Sequence, residues 1–244
     1  MKAFSKLIPL VISAASWLPF GFAQELPLYQ AEYLAKAAGL SATAERKLEL
    51  LGDNRYRLSQ ALEVRVLGAR LGEIEETSHF HYIDGILTPE KYRYEQSGVA
   101  RKKEQVLFDW DSEIARSEED GEQWLLTISP GVVDKLSFQL LLRRALAEEE
   151  IGELTIQMVD ADEIESHLYR VTGSEMVKTE LGLLDCLRVE RIRDSGSERR
   201  TTFWLAKDWN FLLAKFEQRS GSDTETELLL EKAIVSGHEV TPLP

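Results

Sequence analysis

"RYRLSQALEVRV", residues Arg55 to Val66, decides how the chain is read. On an extended backbone Tyr56, Leu58, Leu62, Val64 and Val66 fall on one side, and Arg55, Arg57, Glu63 and Arg65 on the other. A period of two with one apolar and one charged face marks an antiparallel strand with a core on one side and water on the other. The next stretch, "EIEETSHFHYIDG" (73–85), repeats the pattern. Ile74, Phe80 and Tyr82 oppose Glu73, Glu75, His79 and His81, and Asp84-Gly85 is a hairpin turn signal. "KYRYEQSG" (91–98) puts Tyr92 and Tyr94 together, "QVLFDWD" (105–111) aligns Val106, Phe108 and Trp110, and "QWLLTIS" (123–129) aligns Trp124, Leu126 and Ile128.

The period then changes. In "DKLSFQLLLRRALAEEEIG" (134–152), Asp134 is a helix N-cap, Leu136, Leu140 and Ala147 share a face, and Gly152 is the stop. Phe138, Leu141, Leu142 and Ala145 make a second apolar face, so the helix is packed on two sides or across a concave surface. Strands resume with "ELTIQMVD" (153–160) and run to "TETELLLEKAIV" (224–235). The pattern predicts roughly ten or more strands around one internal helix. No βαβ rhythm occurs, which excludes a parallel sheet. The expected fold is mainly β: a single large curved antiparallel sheet forming an open or closed barrel, with a helix at about 134–149 packed across it. Residues 24–236 form one domain, and 237–244 a loose tail.

The ends and the charge give an address. Lys2 and Lys6 precede the apolar run "LIPLVISAASWLPF", and Gly21-Phe22-Ala23 carries small residues at −3 and −1, the pattern of a signal peptide over 1–23 cleaved after Ala23. No later run is long enough to span a membrane as a helix. The formal charge of −13 argues against nucleic acid and anionic membrane surfaces as partners. The single cysteine, Cys186, forms no internal disulfide, and its neighbours Leu184 and Arg188 on a strand-like run make it a small half-buried residue. The expectation is an exported, periplasmic protein.

Four segments, "PLYQAEYLAKAAGLSATAERKLELLGDNRYRL", "DKLSFQLLLRRAL", "ELGLLDCLRVERIR" and "RRTTFWLAKDWNFLLAKFEQR", occur in an order that resembles the bacterial exported family DUF3108, a domain of unknown function. The resemblance spans about residues 27 to 232. It departs at Lys135, where relatives commonly have proline, and near Trp209 and Ala214, where they often have glycine and proline. At the level of fold it is similar to periplasmic lipoprotein carriers of the LolA/LolB kind, which implies an open curved sheet with helix across its mouth. It implies no catalytic residues.

His79 and His81 project from one strand face with Glu75, a spacing that can share a metal, but on the charged face they read as solvated surface. "DADEIE" (160–165) lacks the glycine an EF-hand loop needs at its sixth position, where Glu165 stands. There is no G-x-S-x-G elbow and no phosphate-binding glycine loop. No catalytic residue, metal or cofactor is expected. "TTFWLAKDWNFLLAKFE" (201–217) instead poses a packing question, because Phe203 and Leu205 oppose Trp204 and Ala206 and both faces are apolar. Either the strand is covered twice or one face lines an interior space. A curved sheet enclosing more volume than one helix fills would leave an apolar pocket. Its lining is expected from Tyr92, Tyr94, Phe108, Trp110, Trp124, Phe138, Leu141, Leu142 and Trp204. The functional expectation is a non-enzymatic carrier or binding module for a lipid, lipid-linked glycan or other amphipathic ligand. A structural factor that docks another envelope protein through a sheet edge, and an enzyme acting on envelope material, are the alternatives.

Overall fold

The computed structural model describes residues 25–37, 39–66, 69–148 and 152–243, so the expected signal peptide and its cleavage site lie outside the described residues. Eight strands precede the helix: β1 (Tyr29–Ala37), β2 (Leu40–Gly52), β3 (Arg55–Val66), β4 (Ala69–Ile83), β5 (Ile86–Gly98), β6 (Lys102–Asp109), β7 (Ile114–Glu119) and β8 (Glu122–Thr127). After α1 (Phe138–Glu148) come β9 (Glu153–Asp160), β10 (Glu163–Thr179), β11 (Gly182–Ile192), β12 (Arg199–Ala206), β13 (Leu212–Ser220), β14 (Asp223–Val235) and β15 (His238–Glu239). A 3-10 turn, Lys207–Trp209, joins β12 to β13.

All fifteen strands belong to one sheet, ordered β8-β7-β6-β5-β4-β3-β2-β1-β14-β13-β12-β11-β10-β9, with β15 added beside β14. The order is that of two meanders zipped along a seam where β1 pairs antiparallel with β14, from Tyr29↔Val235 to Ala37↔Thr226. Hydrogen bonds do not close the sheet, because β8 and β9 are its two ends. The sheet curls until Lys135 links Asp160 of β9 (2.8 Å) to Glu104 of β6. Short turns fix the register. Asp84-Gly85 takes positive φ at both positions (50° and 82°), which matches the twist of the flanking strands and which glycine adopts without a Cβ penalty.

The concave face holds the core. Tyr33, Tyr56, Leu58, Phe80, Tyr92 and Leu230 are among its fully buried side chains. The helix lies inside the curl, with Leu140, Leu142 and Leu146 buried on it and Leu136 buried in the turn before it. Phe138 stacks on Tyr169 of β10 (5.6 Å between centroids) and meets Phe203 of β12 edge-on (6.2 Å). The strand with two apolar faces, β12, is covered on both sides, and every residue from Thr201 to Ala206 is buried. The C-terminal segment expected as a loose tail is tied down instead. Val240 is buried, its N–H donates to Ala233 (2.9 Å), Leu243 N–H donates to Leu183 (3.0 Å), and a Cβ at Gly182 would lie 2.7 Å from Pro242. A two-residue strand beside β14 gives that segment ladder bonds that its short, proline-containing sequence does not announce.

Candidate functional site

Asp134 anchors the helix as the N-cap pattern predicts. Its Oδ1 accepts from the N–H groups of Leu136 (2.9 Å) and Ser137 (2.7 Å), and its Oδ2 accepts from Ser78 Oγ of β4 (2.6 Å). Asp134 is 0% exposed, and burial raises its carboxyl above the usual range while those donors oppose the shift. One residue thus caps the helix and ties it to the sheet.

A polar network continues from this point across the concave face. Arg46 donates to Gln60 and Gln139, Gln60 donates to Glu76 (3.3 Å), and the Tyr92 hydroxyl donates to Glu76 (2.6 Å). Desolvation pushes Glu76 up to about 7, against the opposing pull of the Tyr92 hydroxyl and Arg46. A carboxyl poised near neutrality is a candidate proton acceptor. Here Oε1 is taken by Tyr92 and Oε2 by Gln60, which makes it part of the scaffold. Glu104 is likewise occupied, by Lys102 (2.6 Å) and Lys135.

The interior beside the helix is filled. A gap of about 10 Å³ lies between α1 and the β1, β2, β12 and β13 side chains, and another of about 60 Å³ lies under Tyr82, Leu140 and Arg144 near residues 25–27. Such gaps hold a water molecule or a few, whereas ligand pockets run to about 300–1,000 Å³. The space expected beneath the helix is taken up by side chains, because the buried aromatics of β3, β4 and β5 reach inward and α1 sinks between them.

The nine residues expected to line one pocket are dispersed. Tyr92 is buried in the network, and Tyr94, half-buried, donates to Gln96 (3.0 Å). Phe108 and Trp110 stack on each other (5.9 Å), with the Trp110 indole N–H donated to the Pro89 carbonyl (2.6 Å). Phe138, Leu141 and Leu142 face the core from α1, and of the nine only Leu142 borders either gap. Trp204 sits opposite Arg188 and Lys215 on the convex face, its indole N–H donated to Glu175 and the Lys215 ammonium 4.7 Å from its ring. Alternation assigned Trp204 a face but not which face was inside.

His81 Nε2 lies 3.0 Å from Glu90, and among the described residues no group of three or more His, Cys, Asp or Glu is arranged to hold a metal ion. Cys186 is fully buried, further in than the half-buried placement expected of it, and burial pushes its thiol up to about 12.

The two ends of the sheet differ. Along β9, Val133 lays a bridge: its N–H donates to Gln157 (3.0 Å) and its carbonyl accepts from Val159 (3.0 Å). Along β8, only β7 pairs, and no described backbone covers the other side. The strand reads "EQWLLT", with no lysine, arginine or proline. Leu125 is 71% exposed, and the rows Leu107–Arg116–Leu125 and Gln105–Glu118–Gln123 border an open hollow of about 400 Å³ that runs out to this edge. Unprotected apolar edges are unusual, since they template pairing with another chain. Trp124 is the one expected pocket residue in the hollow.

No curated protein matches this chain. Its structure is similar to the crystal structure of a beta-barrel-like protein of the domain of unknown function DUF1849 from Brucella abortus, at 11% identity and a TM-score of 0.55, covering 87% of this chain and 99% of that one. A putative exported protein with a YmcC-like fold from Bacteroides fragilis aligns at 10% identity and a TM-score of 0.36, over 85% and 94% of the two chains. The first likeness supports a barrel-like fold and nothing about chemistry. The sequence profile described as "Protein of unknown function (DUF3108)" matches residues 29–227, and the chain belongs to that family.

Proposed function

We propose that this is a non-enzymatic, exported docking module that receives an extended segment of another cell-envelope protein along β8. The observation that carries the proposal is the asymmetry of the sheet ends: among the described residues, Val133 lays a bridge along β9 and nothing pairs along the outer edge of β8. A segment added there gains main-chain hydrogen bonds, each contributing about 0.5–1.5 kcal/mol net, and places alternate side chains over Leu125 and Trp124. The carrier reading is the second one. It requires α1 to leave the curl, because gaps of about 10 and 60 Å³ do not admit an acyl chain.

The test places a photo-crosslinking amino acid at Gln123, on the edge, and at Val99, 90% exposed in the turn between β5 and β6, off the edge. In exporting cells, position 123 should yield adducts to one predominant protein, position 99 should not, and Leu125→Lys should abolish them by charging the edge. Equal adducts from both positions, or none from 123, would refute docking. A lipid retained in native mass spectra would return the carrier reading to first place.

A further inference from the structure

The gap of about 10 Å³ inside the curl has an unusual lining. Tyr29, Tyr33, Arg46, Gln139 and Arg143 border it together with the apolar Leu142, Phe203, Leu205, Leu212 and Leu213. Two of its polar atoms have no hydrogen-bond partner among the described residues: Tyr33 Oη and Arg143 Nη1. Both side chains are deep, Tyr33 at 1% and Arg143 at 9% exposure. Buried polar atoms are almost always satisfied, so two orphans on one small gap point to a third party.

The charge balance gives its sign. Arg143 donates through Nε to the Asn210 carbonyl (2.9 Å), and its guanidinium carbon lies 4.7 Å from the centre of the Tyr29 ring. Arg46 donates to the neutral amides of Gln60 and Gln139, and sits 5.7 Å from the Tyr33 ring centre. Arg46 has the Glu76 carboxyl beyond Gln60, whereas Arg143 has neutral partners, the Asn210 carbonyl and the Tyr29 ring, in a chain of formal charge −13. An uncompensated buried charge is costly, and a counter-ion relieves it. Desolvation raises the Tyr33 phenol, which keeps it a protonated donor at neutral pH. The gap of about 10 Å³ has room for a single small guest, a water or a monatomic ion, and excludes a carboxylate or phosphate.

We propose that this gap is an interior binding site for a halide ion, held by Arg143 Nη1 and Tyr33 Oη with Arg46 adding its charge, and that the ion is a structural counter-ion for the helix plug. The consequence is stability that depends on halide and not on ionic strength.

Thermal unfolding of the full chain in sodium chloride or bromide, against sodium gluconate at equal ionic strength, tests it. The midpoint should rise with halide and saturate, while gluconate, too large for the gap, gives no saturating rise. Tyr33→Phe keeps the ring and removes one donor, so it should fold and weaken the apparent halide affinity by at least about tenfold, the scale of a hydrogen bond to a charged group. A crystal soaked in bromide should show an anomalous peak between Tyr33 and Arg143. Equal curves in halide and gluconate, together with a water or no anomalous peak at that position, would overturn the proposal.

Discussion

Asp134→Ala separates a helix that is tethered from one that merely rests on the sheet. The carboxylate accepts from the N–H groups of Leu136 and Ser137, in the turn that leads into α1, and from Ser78 Oγ, itself fully buried. Loss of an N-cap costs about 0.5–2 kcal/mol. A buried hydroxyl deprived of its partner adds about 1–3 kcal/mol. Together the substitution should destabilise the fold by about 2–4 kcal/mol, read as a shift in the urea midpoint at unchanged m-value. Asp134→Asn keeps an acceptor and caps nearly as well, so it should cost under about 1 kcal/mol. Ser78→Ala closes a double-mutant cycle. In the Asp134→Ala background it should cost less than alone, with a coupling of about 1 kcal/mol, because the unpaired hydroxyl has already been counted. A loss below about 0.5 kcal/mol for Asp134→Ala, or strict additivity of the two changes, would show that apolar packing alone holds α1 in place.

Two further outcomes follow from the buried titrating groups. Desolvation pushes the Glu76 carboxyl from its ordinary 4.5 up to about 7, so the folded state holds the extra proton between those values and stability from this group falls as pH rises from about 4.5 to 7. His167 and His79, both lowered mainly by burial, act oppositely and remove stability as pH falls below 6.5. The difference between wild type and Glu76→Gln cancels the histidines, and it should decline across that window by about 2–3 kcal/mol, with a flat difference counting against the buried assignment. The Cys186 thiol, pushed up to about 12 and fully buried, should resist a disulfide reagent at neutral pH until denaturant is added. Prompt labelling of the folded protein would mean that β11 opens locally.

The period-two alternation from Arg55 onward marks strands, and the break after Pro130 locates α1, because side-chain period follows directly from backbone geometry. The cap at Asp134, the hairpin turn at Asp84-Gly85 and the family were equally legible, being local patterns. Alternation also showed that β12 is apolar on both faces. It did not say which face curls inward, so Trp204 was assigned to a pocket although it lies on the convex side. The burial of Arg143 has a signal in the sequence: it stands three residues from both Leu140 and Leu146, on the buried stripe of the helix. What no local pattern carries is the pairing of β1 with β14, two hundred residues apart in sequence. That seam sets how tightly the sheet curls, hence how much room α1 finds, and so whether the middle is a pocket or a packed core. Volume inside a curl is a sum over distant side chains, and only the assembled fold performs it.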